Sequence, residues 1–345
     1  MTDPANPLGL NGFEFVEFTS PDPLAMARQF EQLGFVPTHR HLTKNITRYK
    51  QGRINLMLNR DADGRVAQFR NEHGASASAM AFRVADPAKA MEWALAHGAK
   101  PTIEDDTVIE GIGGSYLYFI QDGIDLYADW AEIPGWQEAE AKNNVGLDLL
   151  DHLTHNVRRG QMRVWSEFYK TLFGFEEQKY FDIKGQATGL FSQAMIAPDK
   201  AIRIPLNESQ DDKSQIEEFI REYHGEGIQH LALTTPDIFD TVERLRARGV
   251  KLQDTIETYY ELVDKRVPGH GEDLERLRKN RILIDGNVGD EGILLQIFTE
   301  NMFGPIFFEI IQRKGNEGFG NGNFQALFES IELDQIRRGV IKVDA

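Results

Sequence analysis

The hydrophobic pattern of this chain repeats. Residues 12–20, GFEFVEFTS, alternate as a strand does. Pro21, Asp22 and Pro23 then open a helical stretch, LAMARQFEQLGF, that ends near Gly34. Three strand-like runs follow, VPTHRHL, ITRYK and INLMLN. The same order returns as ASAMAFRV, the helical DPAKAMEWALAHG, and then YLYFIQ and DLYADW around an Asp122–Gly123 turn. A third copy runs HLTHNV, the helical GQMRVWSEFYKTLFGF, KYFDI, TGLFSQAMIA and AIRIPLNE. A fourth runs GIQHLALTT, the helical DIFDTVERLRARG, RILID, GILLQIFT and IFFEIIQR.

Two alignments support a true repeat. Helices end in LGF at Leu33–Phe35 and in FGF at Phe173–Phe175. A constant offset places Asp86 on Asp237, Gly98–Ala99 on Gly249–Val250 and Lys100 on Lys251. The pattern predicts an α+β fold of four βαβββ modules paired into two domains, each an open half-barrel of mixed sheet with outer helices. The expected domains are residues 1–140 and 147–345. The polar stretch 131–146 is the predicted linker. Residues 254–280 interrupt copy four and predict short helices and a surface loop. The tail GFGNGNFQALFESIELDQIRRG opens with glycines and should become helical after Asn323.

The repeat also separates the halves chemically. His230 of copy four falls on Ala79 of copy two, and Phe13–Glu14 of copy one stand where copy three has Asp151–His152. Any imidazole-based metal site therefore belongs to the second half. Of nine histidines, His39, His41, His73, His97, His152, His155, His224, His230 and His270, two enter the first strand of a module: His152 and His230. Strand alternation sends His152 and His155 to opposite faces, so one of them alone can face a cavity. Glu309 lies inside the apolar FFEIIQR, where an unpaired carboxylate would be costly. Two imidazoles and one carboxylate from three strands match the facial triad of non-haem iron(II) enzymes, which leaves half an octahedron open. Zinc could use the same ligands. Taken singly, a strand histidine can be a satisfied core residue and a buried glutamate a salt-bridge partner.

Composition narrows the partners. A net charge of -16 argues against nucleic acid, whose phosphates need clustered Lys and Arg, and against anionic membranes. The absence of cysteine excludes disulfides, zinc–thiolate sites, iron–sulfur clusters and thiol nucleophiles. MTDPANPLGL lacks a signal peptide's basic and apolar regions, and FGPIFFEII is too short to span a bilayer, so a cytoplasmic protein is expected. GFGNGNF follows no βαβ strand with nucleotide-loop spacing, so its glycines read as a hinge.

The segments LDHLTHNV, RIPLNE, KSQIEEF, GEGIQHLAL, LLQIFT, FFEIIQRKG and GFGNGNFQALF together resemble the 4-hydroxyphenylpyruvate dioxygenase family of the vicinal oxygen chelate superfamily. The resemblance covers nearly the whole chain and is densest over 147–338. It implies Fe(2+) held by His152, His230 and Glu309. It implies a substrate pocket of Ser192, Asn207, Gln215, Gln229, Gln296, Phe298, Phe319 and Phe324, with Gln229, Asn207 and Phe298 closest to the chemistry. Phe298 and Phe324 would flank the substrate ring, and a helix over 324–338 would close the mouth. Implied partners are 4-hydroxyphenylpyruvate and O2, and a homo-oligomer is expected. Two other readings stay open: 4-hydroxymandelate synthase, associated with a smaller aliphatic residue at the position of Phe298, and a metal-free small-molecule-binding protein on the same modules.

Overall fold

In a computed structural model the structure describes residues 6–102, 107–184, 189–323 and Ala326. The first half contributes β1 (Phe13–Thr19), β2 (Val36–Arg40), β3 (Ile46–Gln51), β4 (Ile54–Asn59), β5 (Ser76–Val84), β6 (Val108–Glu110), β7 (Tyr116–Gln121) and β8 (Ala131–Glu132). The second contributes β9 (Leu149–Val157), β10 (Glu176–Lys184), β11 (Gly189–Ile196), β12 (Arg203–Ser209), β13 (Gly227–Thr234), β14 (Leu283–Asn287), β15 (Gly292–Phe298) and β16 (Phe307–Lys314). Among the described residues these form two eight-stranded mixed sheets, ordered β6-β7-β5-β1-β4-β3-β2-β8 and β10-β11-β12-β9-β13-β16-β15-β14.

Both sheets share one plan. The opening strands of paired modules lie antiparallel at the centre, β1 beside β5 and β9 beside β13. The closing strand of each module returns parallel to its opener, as β4 does to β1 and β16 to β13. Repeated local chemistry builds repeated local structure. Asp86 and Asp237 cap the helices Pro87–Ala96 and Ile238–Ala247 by accepting backbone N–H bonds. Gly174 ends the helix Met162–Phe173 in the left-handed region, which glycine enters without a Cβ clash.

Three elements depart from the sequence pattern. DLYADW forms turns rather than a strand, and copy two instead gains β6 before β7. Its aromatic side chains fold back onto the sheet: Tyr127 is buried and Trp130 packs on it. The stretch 131–146 is no bare linker, because β8 pairs with β2 and a helix spans Trp136–Asn143. A helix over Gly64–His73 joins β4 to β5. The interruption at 254–280 holds the expected short helices, Glu257–Glu261, Val263–Arg266 and Leu274–Asn280. The predicted helix 324–338 falls, apart from Ala326, outside the described residues.

The halves are packed through one continuous core. Phe303, on the loop between β15 and β16, inserts into the first half. Its ring meets Phe18 at 5.4 Å and Phe30 at 5.3 Å. Gln29 Nε2 donates to the Met302 carbonyl at 2.8 Å, fixing the same loop.

Candidate metal centre

The site grows from the register of the second sheet. Ala232 on β13 faces His152 on β9 and Glu309 on β16. His230, two residues along the same strand, faces Thr154 and Phe307. Side chains two apart share a face, so His152, His230 and Glu309 converge from three adjacent strands onto the inner face. Their ligand atoms all lie within 4.8 Å of one another, and all three residues are buried. His152 Nε2 is 3.3 Å and His230 Nε2 3.4 Å from Glu309 Oε2.

Each imidazole is oriented through its other nitrogen. His152 Nδ1 donates to Asp151 Oδ1 at 2.8 Å, and His230 Nδ1 donates to Gln229 Oε1 at 3.0 Å. That assignment leaves both Nε2 lone pairs aimed inward, the arrangement that raises the basicity of a metal-binding histidine. Asp151 reaches its neighbour's ring because it is the extra residue of a β-bulge between His152 and Leu150. Thr154 Oγ1 lies 3.0 Å from His230 Nε2. Phe307 stacks on the His230 ring at 4.8 Å, and Phe319 meets the edge of His152 at 5.2 Å.

The electrostatics keep Glu309 ionised in spite of its burial. Burial alone would raise the Glu309 pKa, but the two imidazoles hold it down to about 2. Burial opposes the charge on His152 as well, yet Glu309 and Asp151 raise its pKa. His230, beside one carboxylate and an amide, is lowered by burial. Glu309 Oε1 is buried and without a hydrogen-bond partner, an orphan that a metal ion would satisfy. Two imidazole nitrogens and a carboxylate fit a first-row divalent metal.

The triad sits at the base of a cavity of about 400 Å³. Ser192, Asn207, Gln215, Gln229, Gln296, Phe298 and Phe319 all line it. Phe324, expected to flank the substrate ring with Phe298, lies outside the described residues. Gln229 both lines the cavity and orients His230, so its amide oxygen is already engaged. Ser192 pairs with Asn207 across β11–β12, and Asn207 with Asn156 across β12–β9. These three form one polar row on the inner face. Sequence reasoning missed the orienting role of Asp151, the stacked Phe307 and the wall residue Thr154, whose place two residues beyond His152 on β9 was the available signal. His155, as strand alternation required, turns away and bonds the Tyr169 hydroxyl at 2.7 Å.

The first sheet corrects the internal alignment by one residue. Phe15 faces Ala81 across β1–β5 as His152 faces Ala232, and Tyr118 faces Ala81 across β5–β7 as Glu309 faces Ala232. The counterpart of His152 is therefore Phe15, and Glu14 matches Asp151 on the bulge. Alignment from residue types alone slid because it paired the two buried acids with the wrong neighbours. Phe15 and Tyr118 meet at 5.5 Å in a cluster with Met57, Ala81 and Tyr127. Aromatic rings fill the places that His152 and Glu309 occupy in the second half.

Paired modules with a buried His–His–Glu group at the floor of one sheet define a metal-binding member of the vicinal oxygen chelate class. Residues 149–262 match the family described as Glyoxalase/Bleomycin resistance protein/Dioxygenase superfamily, and residues 5–131 match Hydroxyphenylpyruvate dioxygenase, HPPD, N-terminal. The chain is 56% identical to 4-hydroxyphenylpyruvate dioxygenase of Pseudomonas aeruginosa, covering 97% of each. It is 52% identical to Hemolysin VllY of Vibrio vulnificus, covering 99% of each. A solved mutant of 4-hydroxymandelate synthase from Streptomyces coelicolor superposes with a TM-score of 0.81 at 26% identity, over 95% of this chain and 100% of that one. This chain belongs to the 4-hydroxyphenylpyruvate dioxygenase family.

Proposed function

We propose that this protein is an Fe(II)-dependent dioxygenase that converts 4-hydroxyphenylpyruvate and O2 to homogentisate and CO2, in tyrosine and phenylalanine breakdown. The observation that carries the reading is the buried triad with an orphaned carboxylate oxygen, opening on one side into an aromatic- and amide-lined cavity. His152, His230 and Glu309 would hold the iron. When bound, iron(II) supplies the electron-donating, oxygen-activating chemistry that these side chains lack.

The protein's own residues do the rest. Three ligands on one face leave the cavity side free for a chelating 2-oxo acid and for O2. One carboxylate against a divalent cation leaves residual positive charge, which favours an anionic substrate. Phe298 and Phe319 supply apolar walls for the phenyl ring, and the amides of Asn207, Gln215 and Gln296 with the Ser192 hydroxyl offer directed polar contacts. The keto acid loses its carboxylate as CO2, and one oxygen atom completes the new acetate carboxyl; the other becomes a hydroxyl on the ring carbon that bore the side chain, whose bond to that carbon breaks as the side chain migrates to the neighbouring one. The oxidant's partner is thus within the substrate, and no separate keto acid is required.

Phe298 in the cavity wall supports ring hydroxylation over benzylic hydroxylation, the latter being associated with a smaller aliphatic residue at this position. Among the described residues no helix is long and apolar enough to cross a bilayer. A cytoplasmic homo-oligomer accords with this reading, and gel filtration with light scattering checks the assembly. Anaerobic reconstitution with Fe(II) followed by product analysis tests the function. Homogentisate with one CO2 per O2 consumed is expected; 4-hydroxymandelate as the main product, or turnover restored by Zn(II) alone, would overturn it.

A further inference from the structure

The side chain of Arg313, on β16 four residues past Glu309, does not enter the cavity, yet it touches everything behind His152. Its Nε and Nη2 donate to the two Asp151 oxygens at 2.8 and 2.7 Å. Its Nη1 donates to the carbonyls of Asn316 at 2.9 Å and Gly318 at 2.6 Å. Asp151 in turn accepts from His152 Nδ1, and Phe319, next after Gly318, packs its ring on His152. Arg203 reinforces the link, lying 3.6 Å from Asp151 and pairing with Glu317 of the same loop. One planar guanidinium thus grips the carboxylate that orients a metal ligand and two carbonyls of the loop at the cavity's edge.

We propose that Arg313 is a positioning residue that couples metal binding at His152 to the order of the 316–319 loop. The bidentate fork holds Asp151 in the plane of the His152 Nδ1–H, so the Nε2 lone pair points at the metal position. The same guanidinium fixes the loop whose Phe319 forms the cavity wall. Each partner constrains the other: a cation that locks His152 locks Asp151 and Arg313, and with them the backbone at Asn316 and Gly318. By linkage, a loop loosened from Arg313 must weaken the metal to the same extent. Lysine would keep the charge but lacks the fork that serves both at once.

The inference rests on the metal-site reading, and its test keeps the two apart. Zn(II), which is redox-inert, is titrated by calorimetry into chelator-stripped wild type, Arg313→Lys and Arg313→Gln. Hydrogen exchange of the 315–323 amides is measured with and without Zn(II), with thermal unfolding as a folding check. In the wild type Zn(II) should slow exchange over 315–323. Arg313→Gln should raise the Zn(II) Kd roughly 10–100-fold and abolish that protection. Arg313→Lys should recover part of the affinity and little of the protection. Wild-type binding with the same Kd and the same protection in Arg313→Gln would overturn the coupling alone. A wild type that binds no Zn(II) would overturn the metal site and the coupling with it. Should Arg313→Gln not fold, Arg313→Lys decides by the same two readouts.

Discussion

Replacing Phe303 by alanine tests whether the metal-free half of the chain shapes the cavity in the other half. Phe303 is buried at 1% exposure, and its ring contacts Phe18 and Phe30 of the first half and Phe308 of β16 at 5.5 Å. Its loop begins after Phe298 and ends before Phe307, and Asn301 and Pro305 within it line the cavity. Removing a fully buried phenyl ring leaves a void that these aromatic neighbours cannot fill, at a cost of about 3–5 kcal/mol. Urea unfolding followed by tryptophan fluorescence gives this loss directly, because three of the four tryptophans, Trp93, Trp130 and Trp136, report the first half. Released from its anchor, the loop should also raise KM for 4-hydroxyphenylpyruvate while metal content stays at the wild-type level, since no ligand moves. Phe303→Leu, which restores most of the volume, should recover most of both effects. A stability loss under about 1 kcal/mol, or an unchanged KM alongside the full stability loss, would refute the claim that the first half anchors this wall.

Further perturbations reach the other parts of the account. Glu309→Ala should abolish metal binding and turnover and leave the circular dichroism spectrum close to wild type; retained metal with lost structure would make Glu309 a fold residue. Gly320→Ala should raise KM and lower stability by about 1–2 kcal/mol or more, because Gly320 has a φ of 73° and an added Cβ would lie 1.6 Å from Gln296 Oε1; an unaltered enzyme would mean the loop is free to retreat. Phe298→Ile should shift product toward benzylic hydroxylation with iron content unchanged, and unchanged products would remove Phe298 from specificity control. His155 is buried, chiefly by which its pKa is lowered to about 3. The folded state then binds fewer protons than the unfolded state, so stability falls as pH drops below the unfolded value near 6.5 and stops falling near 3. At pH 5 the loss from this group is roughly 2 kcal/mol. His155→Gln should flatten the urea-midpoint profile between pH 6.5 and 5, and an identical slope in both proteins would contradict the assignment.

Some of this was legible in the sequence for definite physical reasons. A carboxylate within FFEIIQR and an imidazole within IQHLALT are expensive to bury unpartnered, so each advertises a partner, and the repeat says which strands meet. What the sequence hid depends on register. The bulge at Asp151 recurs at Glu14 on β1, and only the cross-strand partners, Ala232 for His152 and Ala81 for Phe15, show that Phe15 rather than Glu14 is the counterpart of His152. DLYADW looks like a strand, but its aromatic residues fold back over the first sheet, Tyr127 buried and Trp130 half-buried, so the pattern reports burial without the strand. β6 has three residues and no periodicity to show. Asp151 and Arg313 are ordinary polar residues in the sequence and acquire roles only through each other, brought together from separate strands.

The central claim is that His152, His230 and Glu309 hold one iron with its open side toward the cavity. Anomalous scattering at the iron edge, from crystals of the anaerobically loaded protein, tests it most directly. The account predicts one iron peak at bonding distance, about 2 Å, from His152 Nε2, His230 Nε2 and a Glu309 oxygen, with its remaining positions facing Phe298 and Phe319. Iron bound elsewhere, or a Glu309 carboxylate still resting on the two imidazoles with no metal between them, would contradict it.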